Sequence, residues 1–398
     1  MLSKRQRAHS AIILDKIYAD GPCSRVDLSR ELNITPATMS DITQFLIDEN
    51  VLHEVGEDND NYRAGRRKIL LDIFPDHSYL VGVEVFDSYI AMCLTNNVGT
   101  IIKQRINEHR PDEFFESFTI EQLIETLTQF IHEDCKNYSL TSIGVAVPGK
   151  YNQETGSLHT HHPFWKTFSF KPLIEAFDLP VLINDIVKCL SYSQRIFAKD
   201  RKDENFIFIH VRHKIIAYCM YEGAIFGDAN AALGEIGHTV INPHGEVCIC
   251  GKRGCLQTYM SEQSMIRKAQ MIYEISTHTF FHHLVKNKSE IDMDVIIKAY
   301  KLGDEAATTI INSALNYLAH SINNYAMMLD AKKIFIHGLI FNAPDFVDIL
   351  EKNLKASTST FPSHHPIESV IIPYDQMNAA VGAVAYCISE HLMRSYSV

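Results

Sequence analysis

One imidazole and three thiols crowd into a short stretch of this chain, at His238, Cys248, Cys250 and Cys255, with nine, one and four residues between them. A tetrahedral zinc ion takes four such nitrogen and sulfur donors, and a site closed by protein ligands has no position left for catalysis. Gly251 and Gly254 let the backbone turn between the sulfurs, where a Cβ would crowd. The run predicts a structural zinc site that pins a loop. The other reading is three small buried thiols beside a satisfied histidine. The remaining cysteines (Cys23, Cys93, Cys135, Cys189, Cys219 and Cys387) stand singly, which favours the chelate.

At 398 residues the chain is too long for one ordinary core, so two or three domains are expected. Its 46% hydrophobic and 21% charged residues are those of a soluble globular protein. No apolar run is long enough to span a bilayer, and Met1-Leu2-Ser3-Lys4-Arg5-Gln6-Arg7 has no hydrophobic signal core behind it. Together with the scattered, reduced cysteines this predicts a cytoplasmic protein without a membrane partner. The net charge of −11 argues against broad nucleic-acid affinity, but not against one small domain with its cations on one face.

The first seventy-odd residues have their own character. Ile12, Ile13, Ile17 and Tyr18 have helical spacing and end at Gly21-Pro22. Ser24 with Asp27 forms an acidic variant of the capping box before a second helix lined by Val26, Leu28 and Leu32. After a turn at Asn33-Ile34, Thr35 caps a third helix with Pro36 at its first position, and Met39, Ile42, Phe45 and Leu46 form its buried stripe. This is a helix-turn-helix. The outer face of the third helix carries Thr35, Ala37, Thr38, Ser40, Asp41 and Gln44, short polar groups suited to base edges in a major groove. Two strands follow around a polar tip, with Arg63, Arg66, Arg67 and Lys68 beside Gly65, a wing suited to phosphates or a narrow minor groove. Lys4, Arg5 and Arg7 add a second basic cluster. An ordinary three-helix interaction domain with a solvated face is the alternative.

Beyond Pro75-Asp76-His77 the pattern becomes strands alternating with helices. Strands are expected at Tyr79–Val85, Tyr89–Asn96, Ser142–Val147, Pro180–Ile183, Phe206–Val211, Ile215–Tyr221 and Lys333–His337. Helices are expected at Ile120–Tyr138, Ser261–Ile275, Glu305–Leu329 and Asn378–Arg394. The alternation is that of an α/β fold with helices on mostly parallel sheets. Asn184-Asp185 directly follows a buried strand, where ligands of such folds gather. An Asn donates and accepts, and an ionised Asp accepts from hydroxyls or takes a proton. The same pair also suits a turn or helix cap.

Gly234-Glu235-Ile236-Gly237-His238, followed by Cys248-Ile249-Cys250-Gly251-Lys252-Arg253-Gly254-Cys255-Leu256, resembles the signature of the ROK family of bacterial sugar kinases, repressors and uncharacterised reading frames. The winged head is similar to that of the repressor branch, which includes regulators of xylose, N-acetylglucosamine and glucose use. The resemblance implies an α/β chain with an N-terminal winged helix-turn-helix (residues 1–75) followed by a two-lobed, actin-like sugar-kinase fold. The smaller lobe would span 76–190, completed by 378–398, and the larger 191–377 with the zinc motif. It implies sugar contacts at Asn184, Asp185, Glu235 and His238, and zinc ligands at His238, Cys248, Cys250 and Cys255.

Departures from the family pattern carry as much weight. Kinase members hold ATP phosphates on an Asp-x-Gly-Gly-Thr loop, where this chain reads Glu84-Val85-Phe86-Asp87-Ser88. A second glycine turn is replaced by Val211-Arg212-His213-Lys214-Ile215-Ile216, and a Gly-Gly is reduced to His337-Gly338-Leu339. No ATP cofactor is therefore expected. Gln257 stands where the family has a sugar-contacting Glu, and removes one negative charge. His162 takes the place of a sugar-contacting Asn, but suits a structural histidine equally, and Trp165 suits packing better than sugar stacking. The expected function is a sugar-responsive transcriptional repressor without kinase activity. It would act as a homodimer or homotetramer on double-stranded operator DNA, its ligand shifting the closure of the lobes and the spacing of the heads. A zinc-containing sugar kinase, and a regulator controlled by a protein such as a phosphotransferase-system component, are the competing readings.

Overall fold

Each of the first three helices has its own start signal and its own apolar stripe, and together they build a small core. The computed structural model describes residues 4–57, 68–160, 162–198, 205–228, 230, 233–329, 331–357 and 368–393. Helix α1 spans Lys4–Asp20, α2 Arg25–Glu31 and α3 Pro36–Asp48. Ser24 Oγ accepts the Asp27 N–H at 3.1 Å and donates to the Asp27 carboxylate at 2.6 Å. Thr35 accepts from the Thr38 N–H, with Pro36 at the first helical position. Ile13, Leu14, Ile17, Leu28, Met39, Ile42 and Leu46 are buried together. Val26, expected on the buried stripe of α2, is instead 62% exposed. In a helix two residues apart means opposite sides, so Leu28 inside puts Val26 outside.

Strands β1 (Cys23–Ser24), β2 (Leu52–Glu57) and β3 (Ile69–Ile73) pair antiparallel in the order β1-β3-β2. The β2–β3 hairpin is the wing of the winged helix-turn-helix. Its tip, with Arg63, Arg66 and Arg67, lies outside the described residues.

The chain divides into two units, Met1–Lys202 with Gln376–Val398, and Asp203–Asp375. Each contains a five-stranded sheet of the same design. In the first unit, β4 (Tyr79–Val85), β5 (Tyr89–Asn96) and β6 (Ile101–Glu108) form an antiparallel meander, and β7 (Leu140–Val147) then β10 (Val181–Asp185) extend it in parallel on the β4 side. Between them β8 (Lys150–Tyr151) and β9 (Leu158–His159) make a separate hairpin. In the second unit, β11 (Phe206–Val211), β12 (Ile215–Tyr221) and β13 (Ala224–Ile225) form the meander, extended in parallel by β14 (Lys333–His337) and β15 (Glu368–Ile372).

Helices cover these sheets because their apolar faces need burial. Ile120–Asp134 starts in a Thr119/Gln122 capping box and buries Leu123, Leu127 and Phe130. It stops short of Tyr138, since Cys135 has left helical geometry (φ −105°, ψ 0°). Asn378–Cys387, rich in small residues as expected, lies against β4 and β7 and runs on as a π-helix through Ile388–Met393. The approach is close enough to demand glycine. A Cβ on Gly82 would stand 2.1 Å from the Ala380 carbonyl oxygen, and one on Gly144 would stand 2.3 Å from that of Ala383. Among the described residues no helix is long and apolar enough to cross a membrane.

Candidate functional site

One register row runs across the carboxyl ends of β4, β7 and β10: Glu84, Ala146 and Asn184. Ligands of open α/β sheets collect beyond such strand ends. Glu84 is buried, and the Asn184 side chain stands within hydrogen-bonding reach of the Tyr386 hydroxyl. Asp185 ends β10 and caps the helix Ile186–Phe197, its Oδ1 accepting the Lys188 N–H at 2.9 Å. The cap reading of this pair is thus realised, and it leaves the other carboxylate oxygen to other partners. Lys188 Nζ lies 3.7 Å from that Oδ2, and both side chains are buried, at 11% and 5% exposure. Sequence reasoning passed over Lys188, although its place one helical turn after Asp185 was visible.

The Ile186–Phe197 helix also reaches the head. Arg195, in its last turn, pairs with Asp15 of α1 at 2.6 Å, and the Tyr18 hydroxyl donates to the Asn97 carbonyl at 2.9 Å. On the head, Thr35, Ala37, Ser40, Asp41 and Gln44 are exposed and Thr38 half-buried. Gln44 Nε2 bonds Asp48 at 2.9 Å, and Lys68 Nζ is held by both Asp27 carboxylate oxygens at 2.9 Å. Both would have to exchange partners to meet DNA.

In the second unit the ligand atoms of His238, Cys248, Cys250 and Cys255 lie within 4.8 Å of one another. Cys248 Sγ is 3.4 Å from His238 Nδ1, and Cys250 Sγ is 3.6 Å from Cys255 Sγ. Sulfurs at the corners of a zinc tetrahedron stand ~3.8 Å apart, so these edges fit such an ion. Burial, with the neighbouring Cys250 and Cys248 sulfurs, pushes the Cys255 thiol up to about 12. The backbone N–H of Lys252 draws the Cys250 thiol the other way, below its usual range, and a bound cation would favour the thiolate at Cys255. The backbone makes the cluster possible at Gly254, whose φ is +67° and where a Cβ would stand 1.5 Å from the Asn242 carbonyl oxygen.

Glu235 is half-buried and leads into the single 3-10 turn Ile236–His238. Gln257 spends its amide on backbone: Oε1 accepts from Ile215 N–H at 3.2 Å, and Nε2 donates to the His213 carbonyl. His162, in the first unit, is exposed with its ring 4.4 Å from that of Phe115. Trp165 is buried among Phe114, Phe118, Phe164, Phe168 and Phe170, where it packs its loop onto the core.

The carboxyl ends of β11, β14 and β15 hold a further cluster, which sequence reasoning noticed only as missing glycines. His210 and His337 are in register and buried, with their Nδ1 atoms 2.9 Å apart. Burial first, then His337, Arg212 and His213, hold the His210 imidazole well below its usual range, so it is neutral. Arg212 donates from Nε to Glu262 at 3.1 Å and from Nη1 to the Tyr374 hydroxyl at 2.6 Å, and His213 Nε2 lies 3.3 Å from the other Glu262 oxygen.

Among proteins of known function, the chain is similar to the xylose repressor of Bacillus spizizenii, 27% identical over 344 residues that make up 86% of this chain and 85% of that one. Among solved structures it is similar to a ROK family transcriptional regulator described as a homolog of the Escherichia coli Mlc protein, with TM-score 0.77, 21% identity and 99% of each chain covered. It is also similar to a ROK family glucokinase from Streptomyces griseus, solved with glucose and AMPPNP, with TM-score 0.64, 15% identity, and 77% of this chain and 98% of that one covered. Repressor and kinase therefore share the fold. The ROK family model matches residues 80–390, both five-stranded sheets and the His/Cys cluster included, and the chain belongs to the ROK family.

Proposed function

We propose that this protein is a sugar-responsive transcriptional repressor that does not phosphorylate its ligand. The observation that carries the reading is the tie between head and sheet: one helix is capped at its start by Asp185 and ion-paired near its end to α1. A ligand that engages Asp185 bears on the helix that holds the DNA-binding head. The response needs only that the ligand prefer one of two placements of that helix. The similarity to a xylose repressor supports a sugar effector and a repressing role.

In this reading residues 1–75 form the DNA-binding head, with Thr35, Ala37, Thr38, Ser40 and Gln44 at base edges. Arg63, Arg66, Arg67 and Lys68 serve the phosphates or minor groove. A dimer would place two such heads one helical turn apart on a palindromic operator. Asn184, Asp185, Glu235 and His238 are the sugar-contacting side chains, and Gln257 acts through the backbone it holds. Zinc suits the donor set of His238, Cys248, Cys250 and Cys255, and would supply rigidity rather than chemistry. With zinc on His238 Nδ1, which faces Cys248 Sγ, Nε2 would carry the proton and be a hydrogen-bond donor. The paired Arg212, Glu262, His213 and Tyr374, at a strand end where kinases of the fold have glycine, support loss of phosphoryl transfer.

The test combines DNA from upstream of the protein's own gene with a panel of pentoses, hexoses and amino sugars. Specific retardation of that DNA, released by one sugar, is the expected result. Sugar-dependent ADP production that vanishes in Asp185→Asn would establish the kinase instead. DNA binding indifferent to every sugar, but released by a protein, would establish control by a partner.

A further inference from the structure

Resting on the sugar-binding reading of Asp185, we propose that Lys188 is the specificity-determining residue at that corner: it holds Asp185 as a hydrogen-bond acceptor for hydroxyls and leaves no free cation for an anionic ligand group. The geometry begins with the Asp185 cap. One oxygen of the carboxylate is fixed by the Lys188 N–H at 2.9 Å, and the other faces the Lys188 ammonium at 3.7 Å. Both side chains are buried, so water screens the pair little. Both contacts favour the charged carboxylate, which accepts hydrogen bonds from hydroxyls.

The surrounding charges set the sign of the corner. Glu84, buried on β4, lies within electrostatic range of Cys189, as do Asp185 and Lys188. Burial and then Asp185 drive the Cys189 thiol up, Cys387 and Glu84 add to this, and Lys188 opposes it. Cys189 and Cys387 are therefore neutral, and burial keeps Tyr386 neutral beside Asn184. Asp185 and Glu84 act on Cys189 against Lys188, and Glu390 adds its negative charge at Tyr386. A neutral polyol meets the Asp185 acceptor here, whereas a phosphate or carboxylate directed at Asp185 meets a carboxylate whose nearby ammonium is already engaged. Asp185→Asn keeps an N-cap residue, removes the ammonium's partner, and should turn the preference toward anions.

The experiment uses the full-length protein with D-glucose, D-xylose and N-acetylglucosamine, and with the corresponding sugar phosphates, in titration calorimetry. A neutral sugar should bind at least about tenfold tighter than its phosphate. Asp185→Asn should narrow or reverse that ratio, Lys188→Arg should keep it, and Lys188→Met should weaken binding of the neutral sugar. A phosphate that binds about tenfold tighter than its sugar, and loses that advantage in Lys188→Met, overturns the proposal. If no sugar or sugar phosphate binds the native protein, the sugar-binding reading itself falls. A ligand-free measurement then decides whether Lys188 holds Asp185. Carbon-13 titration of the Asp185 carboxyl, identified by its absence in Asp185→Asn, should move up by more than about one unit in Lys188→Met. An unchanged titration overturns the proposal, and unfolding midpoints of both Lys188 variants identify a variant that has merely failed to fold.

Discussion

The two five-stranded sheets share a topology but end in opposite chemistry. At matching places, the first sheet has the row Glu84, Ala146, Asn184, and the second has His210, His337, Ile372. A methyl group stands in the middle of the first row and an imidazole in the middle of the second. In the first sheet Asp185 faces Lys188 beside the buried Glu84. In the second, Arg212, Glu262, His213 and Tyr374 bind one another, and His210 binds His337. On the proposed reading, one fold design therefore serves as a place for recognition in one sheet and as a mutually paired brace in the other. The brace stands in the unit that carries the His/Cys cluster.

The largest effect that would sharpen this contrast is at the His/Cys cluster. Structural zinc sites contribute on the order of 10 kcal/mol of binding free energy. Cys255→Ser should cut metal content from about one ion per chain to a small fraction. Hydrogen exchange should then accelerate in Thr239–Leu256 while the Ile186–Phe197 helix stays protected. Equal loosening of both segments would mean that the units are not independently braced.

Next comes the brace. Glu262→Ala leaves the Arg212 guanidinium buried with its main carboxylate gone (side chains 11% and 7% exposed), which should cost about 3–5 kcal/mol in denaturant unfolding. Asp185→Asn should cost less, about 1–3 kcal/mol, because Asn still caps the helix while the buried Lys188 ammonium, 3.7 Å away, loses its carboxylate. A larger loss at Asp185 than at Glu262 would invert the assignment of recognition and bracing.

Acid should find the second sheet first. His210 has its pKa depressed chiefly by burial, so below the unfolded value of about 6.5 the unfolded chain takes up a proton that the native chain refuses. Its contribution is complete above that pH and is lost as pH falls, at up to about 1.4 kcal/mol per pH unit. Urea midpoints across this range should fall less steeply for His210→Asn, which can still offer hydrogen bonds to His337. An unchanged slope would show that His210 is not the responding group.

The smallest stability effect should carry the largest regulatory one. Asp15 is 42% exposed, so Asp15→Asn should cost under about 1 kcal/mol of stability. It should nevertheless weaken the release of DNA by sugar while leaving DNA binding in place, read by gel retardation with and without sugar. Full release in the variant would place the coupling elsewhere.

Much of the fold was legible because its signals are local. Capping at Ser24 and Thr35, the strand pairs flanking Phe86-Asp87-Ser88 and Arg212-His213-Lys214, and the small-residue helix at Asn378 are properties of short stretches. The His/Cys cluster was legible for the same reason, its side chains falling within one loop. Val26 and the stop at Asp134 were misread because which side of a short helix is covered, and where a long one frays, depend on distant neighbours.

The sequence by itself determined the alternation of strands and helices, the winged head and the His/Cys cluster, since periodicity, caps and residue spacing act over a few residues. Only the tertiary structure brought Glu84 and Asn184 into one row, set His210 against His337, and gave the Gln257 amide to a backbone hairpin. It alone joined Arg195 to Asp15 across 180 positions of chain. Pairings of that reach depend on strand register and helix packing, where burial strengthens a charge pair and penalises an unpaired one, and no short window of sequence records them.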